Sequence, residues 1–163
     1  MERFDAIVVG ARCAGAPTAI SLPRAARYFS HANAGRTAVN PSDAEPVTIV
    51  VDDAHSVSAL LLVPPRPRAC YLFAHGAGAG MTHPFMAVVA TELAERGIAT
   101  LRYQFPYMEQ RARRPDPPRL AHATVRAAAG EATRLVPELP LIAGGKSFGG
   151  RMTSQAQAAA PLP

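Results

Sequence analysis

The chain has 163 residues and a mass of 17.2 kDa, enough for one domain with a hydrophobic core and too little for two. Its 48% hydrophobic and 18% charged residues exclude a disordered chain, and no apolar run approaches the roughly 20 residues of a membrane-spanning helix. The net charge of +5 comes mainly from scattered arginines, without the basic and aromatic clustering of a nucleic-acid site, so we predict neither a nucleic-acid nor a membrane partner.

The first 22 residues begin with an apolar, strand-like run and continue into a turn of small residues. The segment FDAIVVGARCAGAPTAI resembles the opening strand and turn of FAD-dependent oxidoreductases, where glycine N–H groups hold a pyrophosphate. Gly10 and Gly15 fit the first and third glycines of that turn, but Arg12 occupies the second position. The acidic ribose ligand, expected about 20 residues further on, is absent. We therefore predict that residues 1–22 are a non-functional fragment and that the protein binds no cofactor.

Residues 23–46 are rich in Pro, Asn, Gly and Ser and show little hydrophobic periodicity, which predicts a linker. After them, the β-rich runs VTIVVDD and VSALLLVP predict an antiparallel hairpin over 47–63, with its turn at residues 53–55. The sequence thus divides into the fragment over 1–22, the linker, and a domain over 47–163.

Three further runs are apolar throughout, as expected of strands that are buried on both faces of a sheet. They read ACYLFA, IATLRY and LPLIA, and we predict that these strands end at Ala74, Tyr103 and Ala143. The spacing of apolar residues predicts one helix that begins near Pro84 and another over 119–136. Strands that alternate with helices predict an α/β fold with a mostly parallel sheet flanked by helices.

The segment Gly145-Lys146-Ser147-Phe148-Gly149 is a G-x-S-x-G motif between the third of these strands and a predicted helix. A sharp strand-to-helix turn raises a serine hydroxyl above the sheet edge, where a base can activate it. Gly145 and Gly149 are small because side chains there would collide with the neighbouring strand and helix. The motif predicts Ser147 as a catalytic nucleophile, and the alternative is a serine that caps the helix.

Acyl transfer also needs two N–H donors for the oxyanion that forms on the substrate. Phe148, directly after the serine, can supply one, and the turn HGAGAG after an earlier strand can supply the other. We assign the second donor of this oxyanion hole to Ala77, with Gly76 and Gly78 keeping the turn open. A plain loop and a phosphate-binding turn are the alternatives for this segment.

Three segments together resemble the α/β-hydrolase family related to dienelactone hydrolases: YLFAHGAGAGMTHPFM, GIATLRYQFPYME and GGKSFGGRMTS. The resemblance covers about residues 47–160. It implies a serine-hydrolase fold that acts on an ester, a thioester or a related acyl bond of a small molecule, without a cofactor. It implies no particular substrate.

The sequence departs from the order Ser, acid, His that this family follows, because residues 148–163 contain no Asp, Glu or His. The earlier histidines suit structural positions: His75 a turn, His83 a helix cap, His122 a helix face, His55 the hairpin and His31 the linker. We therefore predict a partial α/β-hydrolase fold, truncated after the nucleophile elbow, that has little activity and exposes the strand at 140–144 as a sheet edge. Should the chain be active, His75 is the first candidate base. A non-catalytic binding or scaffold domain is the alternative.

The number of cysteines and the first residues of the chain indicate in which cellular compartment the protein lies. Cys13 and Cys70 are too few for a disulfide framework and lack the spacing of metal ligands. Glu2, Asp5 and Arg12 interrupt the pattern of a secretory signal. We predict a cytoplasmic protein with no metal site.

Overall fold

The computed structural model describes residues 8–11 and 40–163. Of the predicted linker over 23–46, it describes 40–46, which form a short 3-10 helix (Pro41–Asp43) and the start of a strand. The strands and helices are β1 (Val8–Ala11), β2 (Glu45–Val50), β3 (Ser56–Leu62), β4 (Ala69–Ala74), α1 (Pro84–Ala94), β5 (Ile98–Tyr103), α2 (Pro106–Glu109), α3 (Pro118–Leu135), β6 (Leu141–Lys146) and α4 (Phe148–Ala159). No helix in this part of the chain is both long and apolar enough to span a membrane.

The described strands form one sheet in the order β1-β6-β4-β5-β3-β2. The first four strands in this order, β1, β6, β4 and β5, are parallel to one another. Leu72 of β4 lies level with Leu101 of β5 and with Ala143 of β6. β3 is antiparallel to both β5 and β2. The predicted hairpin is confirmed, and the Val51 N–H closes its turn by donating to the His55 carbonyl oxygen at 2.9 Å. The predicted α/β class, with a mostly parallel sheet, is also confirmed.

The strand β6 extends beyond its predicted end at Ala143. The sequence pattern ends the strand there because two glycines follow, but Gly144 and Gly145 are extended and pair with the last residues of β4. β6 therefore carries the chain directly to Ser147.

The three predicted helices are present as α1, α3 and α4. α1 begins at Pro84, and Gly97 follows its end with a φ of +76°, a left-handed conformation that glycine adopts without steric cost. α3 spans Pro118–Leu135, close to its predicted range. The one-turn helix α2, which begins at Pro106, is not predicted by the sequence pattern.

β1 covers part of the β6 edge that the sequence predicts to be exposed, since it pairs with residues 143–146. Gly10, which the FAD-like resemblance assigns to the start of a turn, lies in this strand, level with Gly145. Gly15 of the same turn lies outside the described residues. The expectation of an exposed edge at 140–144 is therefore wrong for Ala143 and Gly144, because a strand from the far end of the sequence pairs with them, whereas no described strand pairs with residues 140–142 on that side.

The core lies on both faces of the sheet. On one face, Leu72, Leu101 and Tyr103 belong to the cluster that includes the buried alanines of α3. These alanines are Ala121, Ala128, Ala129 and Ala132. Their small side chains allow the helix to pack closely on the sheet. On the other face, Leu62 packs against Ala90 and Ala94 of α1.

Candidate active site

Ser147 lies at the sharp turn between β6 and α4. Its backbone has φ 50° and ψ −105°, and such sparsely populated conformations cost about 1–3 kcal/mol. The residue is exposed, and its side chain makes no hydrogen bond to the N–H groups of α4. A capping serine acts through that hydrogen bond, so the structure does not support the helix-cap alternative.

Gly145 and Gly149 permit a close approach of β6 and α4 to the end of β4. A Cβ atom at Gly145 would lie 2.5 Å from the Ala74 carbonyl oxygen, and one at Gly149 would lie 2.5 Å from the His75 carbonyl oxygen. Carbon atoms at van der Waals contact are about 3.5–4.0 Å from their neighbours. Any larger residue at either position would therefore push the turn between β6 and α4 away from the end of β4.

The turn that follows β4 faces the same cavity as Ser147. Gly76, Ala77 and Gly78 line a cavity of about 430 Å³ together with Lys146 and Ser147. The remaining lining residues come from the loop before α1 and from α1 itself: Ala79, His83, Phe85 and Met86. The fold thus brings the two segments that the sequence singled out to one cavity.

Packing against the rest of the described chain does not require glycine at positions 76 and 78 of this turn, whereas a Cβ at Gly80 would lie 2.6 Å from Gln104 Oε1. A Cβ atom at Gly78 would meet no heavy atom within 4 Å, and one at Gly76 would meet Lys146 at ordinary distances of 3.5–3.7 Å. In the described part of the chain, Gly97 is the glycine with a positive φ, so neither turn glycine has a left-handed backbone. Contacts within the described chain therefore do not explain glycine at positions 76 and 78, and the role of these residues in keeping the turn open stays a prediction.

Two buried side chains hold the carbonyl groups of the turn. The Nδ1 of His75 lies 2.8 Å from the Gly76 carbonyl oxygen, and the Phe105 N–H donates to Nε2 at 3.1 Å. Because Nε2 accepts, Nδ1 carries the proton of a neutral ring, and burial lowers the pKa of this imidazole. The Tyr107 hydroxyl donates to the Ala77 carbonyl oxygen at 3.0 Å, and burial raises its pKa to about 12. The turn is therefore fixed from the interior.

The segment FPYME provides this support, a role that sequence reasoning missed. The Phe105 ring makes edge-on contacts with His75 and with Phe148, each with centroids 5.1 Å apart. Tyr107 lies 6.0 Å from the Phe148 ring, again edge-on. The aromatic cluster thus joins the glycine-rich turn to the first residue of α4. The sequence analysis singled out the segment FPYME as part of the family resemblance. Nothing in its composition indicated that the Tyr107 hydroxyl would reach the Ala77 carbonyl oxygen.

None of the described histidines is hydrogen-bonded to Ser147. His75 uses both ring nitrogens in the interior. His83 lines the cavity, but its Nδ1 accepts the Phe85 N–H at 3.1 Å and caps α1, as the sequence predicts. The others lie elsewhere: His55 beside Asp52, His122 beside Gln155, and His31 outside the described residues. The described residues also contain no group of three or more potential metal ligands.

A mostly parallel sheet, a strained serine turn and a glycine-rich turn that faces it define the class of α/β-hydrolase folds. A family model described as an alpha/beta hydrolase domain matches residues 67–161, more than half of the chain, and the chain belongs to this family. The predicted relation to this family is confirmed. No curated protein sequence matches the chain.

Solved structures with the same fold include a dienelactone hydrolase from Anabaena variabilis, with a TM-score of 0.62 and 24% identity over 72% of this chain and 58% of that one. A serine hydrolase without a lid from Xanthomonas campestris has a TM-score of 0.59 and 21% identity over 76% of this chain and 59% of that one. Est1E from Butyrivibrio proteoclasticus has a TM-score of 0.52 and 19% identity over 70% and 45%. The chain therefore spans less than two thirds of the length of each structure.

Proposed function

We propose that this chain carries the nucleophile and the oxyanion-binding groups of a serine hydrolase that acts on an ester, a thioester or a related acyl bond of a small molecule. The observation that supports this most is the strained backbone of Ser147 beside the cavity that the turn at Ala77 also lines. Arg111 also has a positive φ, but the combination of φ 50° and ψ −105° places Ser147 outside the left-handed helical region as well, and strained conformations of this kind cluster at active sites.

In the proposed reaction, Oγ of Ser147 attacks the acyl carbon while its proton passes to a base. The oxyanion accepts hydrogen bonds from the N–H groups of Phe148 and Ala77, and the N-terminus of α4 favours the developing negative charge. The leaving group takes up the proton and departs, which leaves an acyl-serine. Water then attacks the acyl carbon, releases the carboxylic acid and restores the hydroxyl.

We expect the chain to hydrolyse esters slowly. His75 is neutral, buried and hydrogen-bonded at both ring nitrogens, so it is a poor candidate for the base. Oxyanion binding and substrate binding without a working triad leave about 10³–10⁴-fold acceleration over water. The expected activity is therefore small but dependent on Ser147.

The test uses 4-nitrophenyl acetate with added imidazole. Imidazole in solution can act as an external base if Ser147 lacks one, so the saturable part of the turnover should rise with imidazole concentration and be absent in Ser147→Ala. The matched control is Ser154→Ala, because Ser154 lies on α4 and its hydroxyl donates only to the Gly150 carbonyl oxygen at 3.0 Å. Mass spectrometry of the quenched protein should locate the acetyl group on Ser147. Absence of an acetyl group from Ser147, or equal saturable turnover in the Ser147→Ala variant, would contradict the proposal.

A non-catalytic binding domain with the hydrolase fold is the second candidate. It is favoured by one observation: the Ser147 side chain has no hydrogen-bonded base among the described residues. In that case imidazole should produce no saturable turnover and no acetyl-serine, although small acyl compounds should still bind in the cavity.

A further inference from the structure

Lys146 gives the cavity beside Ser147 a positive charge that the proposed chemistry does not use. It is exposed, and it precedes the nucleophile at the end of β6. Its Cγ and Cδ atoms lie 3.6 and 3.7 Å from the position that a Cβ would occupy at Gly76, so the side chain crosses the glycine-rich turn. Its Nζ lies 4.7 Å from the centroid of the Phe85 ring, which also lines the cavity. The ammonium group is therefore held over the cavity.

Among the residues that the structure describes, no negative charge in the cavity neutralises this ammonium group. The lining residues include no Asp or Glu, and the ion pairs of the described residues do not involve Lys146. An aromatic ring attracts a cation without giving it a counter-ion, so the lysine remains able to pair with an incoming anion. Apart from His83 and Ser147, the other lining residues carry apolar side chains or none, with Ala77, Ala79 and Met86 among them.

We propose that Lys146 selects acyl substrates that carry a carboxylate, with a short apolar segment between the carboxylate and the scissile acyl bond. The inference rests on the proposed function, because it places the acyl carbon at Ser147 and the carboxylate at the neighbouring Nζ. A half-ester of a short dicarboxylic acid has this chemistry. An ammonium group pairs with a carboxylate as a point charge, and the cavity lining contains no arginine, whose planar fork suits the bidentate recognition of a phosphate.

The sequence provides a probe for this proposal, since Lys146 is the sole lysine of the chain. Reductive methylation with ¹³C-formaldehyde keeps the positive charge and labels this side chain, together with the N-terminal amine as an internal reference. Succinamate and butyramide are ligands of similar length that lack a cleavable ester, and one is anionic while the other is neutral. Binding is therefore measured without turnover.

We expect succinamate to shift the dimethyl-lysine signal in a saturable manner and to bind about two- to five-fold more tightly than butyramide, as exposed ion pairs allow. In unlabelled protein followed by amide chemical shifts, Lys146→Met should abolish this preference, and Lys146→Arg should keep most of it. The control is Arg151→Met, because Arg151 is an exposed cation on α4 that lies 5.9 Å from the Phe148 ring and does not line the cavity. That variant should keep the full preference.

Equal binding of the two ligands, or an unchanged preference in Lys146→Met, would overturn the proposal. Tighter binding of butyl phosphate than of succinamate would overturn the assignment to a carboxylate. The Ser147→Ala variant separates this inference from the proposed function. If it binds succinamate normally while the parent chain forms no acetyl-serine, hydrolysis is wrong and the anion site stands. If acetyl-serine forms without a preference for succinamate, the anion site is wrong and hydrolysis stands.

Discussion

Ser147 and His75 differ in how they relate to their surroundings. Ser147 keeps its side chain exposed and has an unfavourable backbone conformation, which the packing of β6 and α4 must maintain. His75 is fully buried, and both ring nitrogens are hydrogen-bonded. The two residues therefore differ in what a substitution should change: at Ser147 it should change chemistry, and at His75 it should change stability.

His75 should make the stability of the protein depend on pH. Burial lowers its pKa in the folded state below the unperturbed value of about 6.5, so the unfolded chain binds the proton more readily. The contribution of neutral His75 is present above that value and is lost as the pH falls below it. We expect the urea midpoint to decrease more between pH 7.5 and pH 5.5 in the parent chain than in His75→Gln.

The control for this comparison is His122→Gln, since the His122 ring lies on the surface of α3 at 3.3 Å from Gln155. That variant should retain the pH dependence of the parent chain. An identical pH dependence in the parent chain and in His75→Gln would show that His75 is not a neutral buried group.

At the scale of elements, the strand β6 and the helix α4 act together because both approach the end of β4 at glycines. The first turn of α4 lies so close to the carbonyl group of His75 that Gly149 has no room for a Cβ atom. On its other side, the Phe148 ring joins the aromatic cluster that supports the glycine-rich turn. The position of α4 therefore determines whether the proposed oxyanion donors face one point.

Gly149→Ala should destabilise the fold by about 1–3 kcal/mol or more, because the added methyl group would overlap the His75 carbonyl group and Ala74. The matched control is Gly130→Ala. Gly130 lies inside α3, and a Cβ there would meet no atom within 4 Å. That variant should gain about 0.5–1 kcal/mol, since alanine favours a helix over glycine. Urea unfolding measures both changes, and a neutral Gly149→Ala would mean that α4 lies further from β4.

In the molecule as a whole, the sheet order places the candidate site at the carboxyl ends of β4 and β6. The same order places β1 beside β6, where it pairs with residues 143–146. Removing β1 would leave the unpaired N–H and C=O groups of β6 open to another chain. We expect a chain that lacks residues 1–11 to form larger species than the parent chain in size-exclusion chromatography with light scattering. A chain that lacks only residues 1–7 keeps β1 and should behave as the parent does. Equal behaviour of the two deletions would contradict the pairing of β1 with β6.

Local patterns in the sequence were sufficient for much of this architecture. Apolar runs identified β4 and β5, and the context of the G-x-S-x-G motif identified the turn at Ser147. The contacts that sequence reasoning missed are distant in the chain. The hydroxyl of Tyr107 reaches the Ala77 carbonyl oxygen only after β5 has been placed beside β4. The position of the Lys146 ammonium group likewise depends on its contact with the Phe85 ring, which belongs to a separate helix.

The pairing of β1 with β6 has a consequence for how the molecule is made. Of the strands that the structure describes, β1 leaves the ribosome first and β6 leaves it last. Translation at about 5–20 residues per second therefore fixes the shortest time for which β1 must remain without its partner. β3, β4 and β5 can associate while β6 is still being synthesised, because their pairing needs no later strand. A pause of the ribosome before β6 would prolong the exposure of β1 and of the open edge of β4 in the nascent chain.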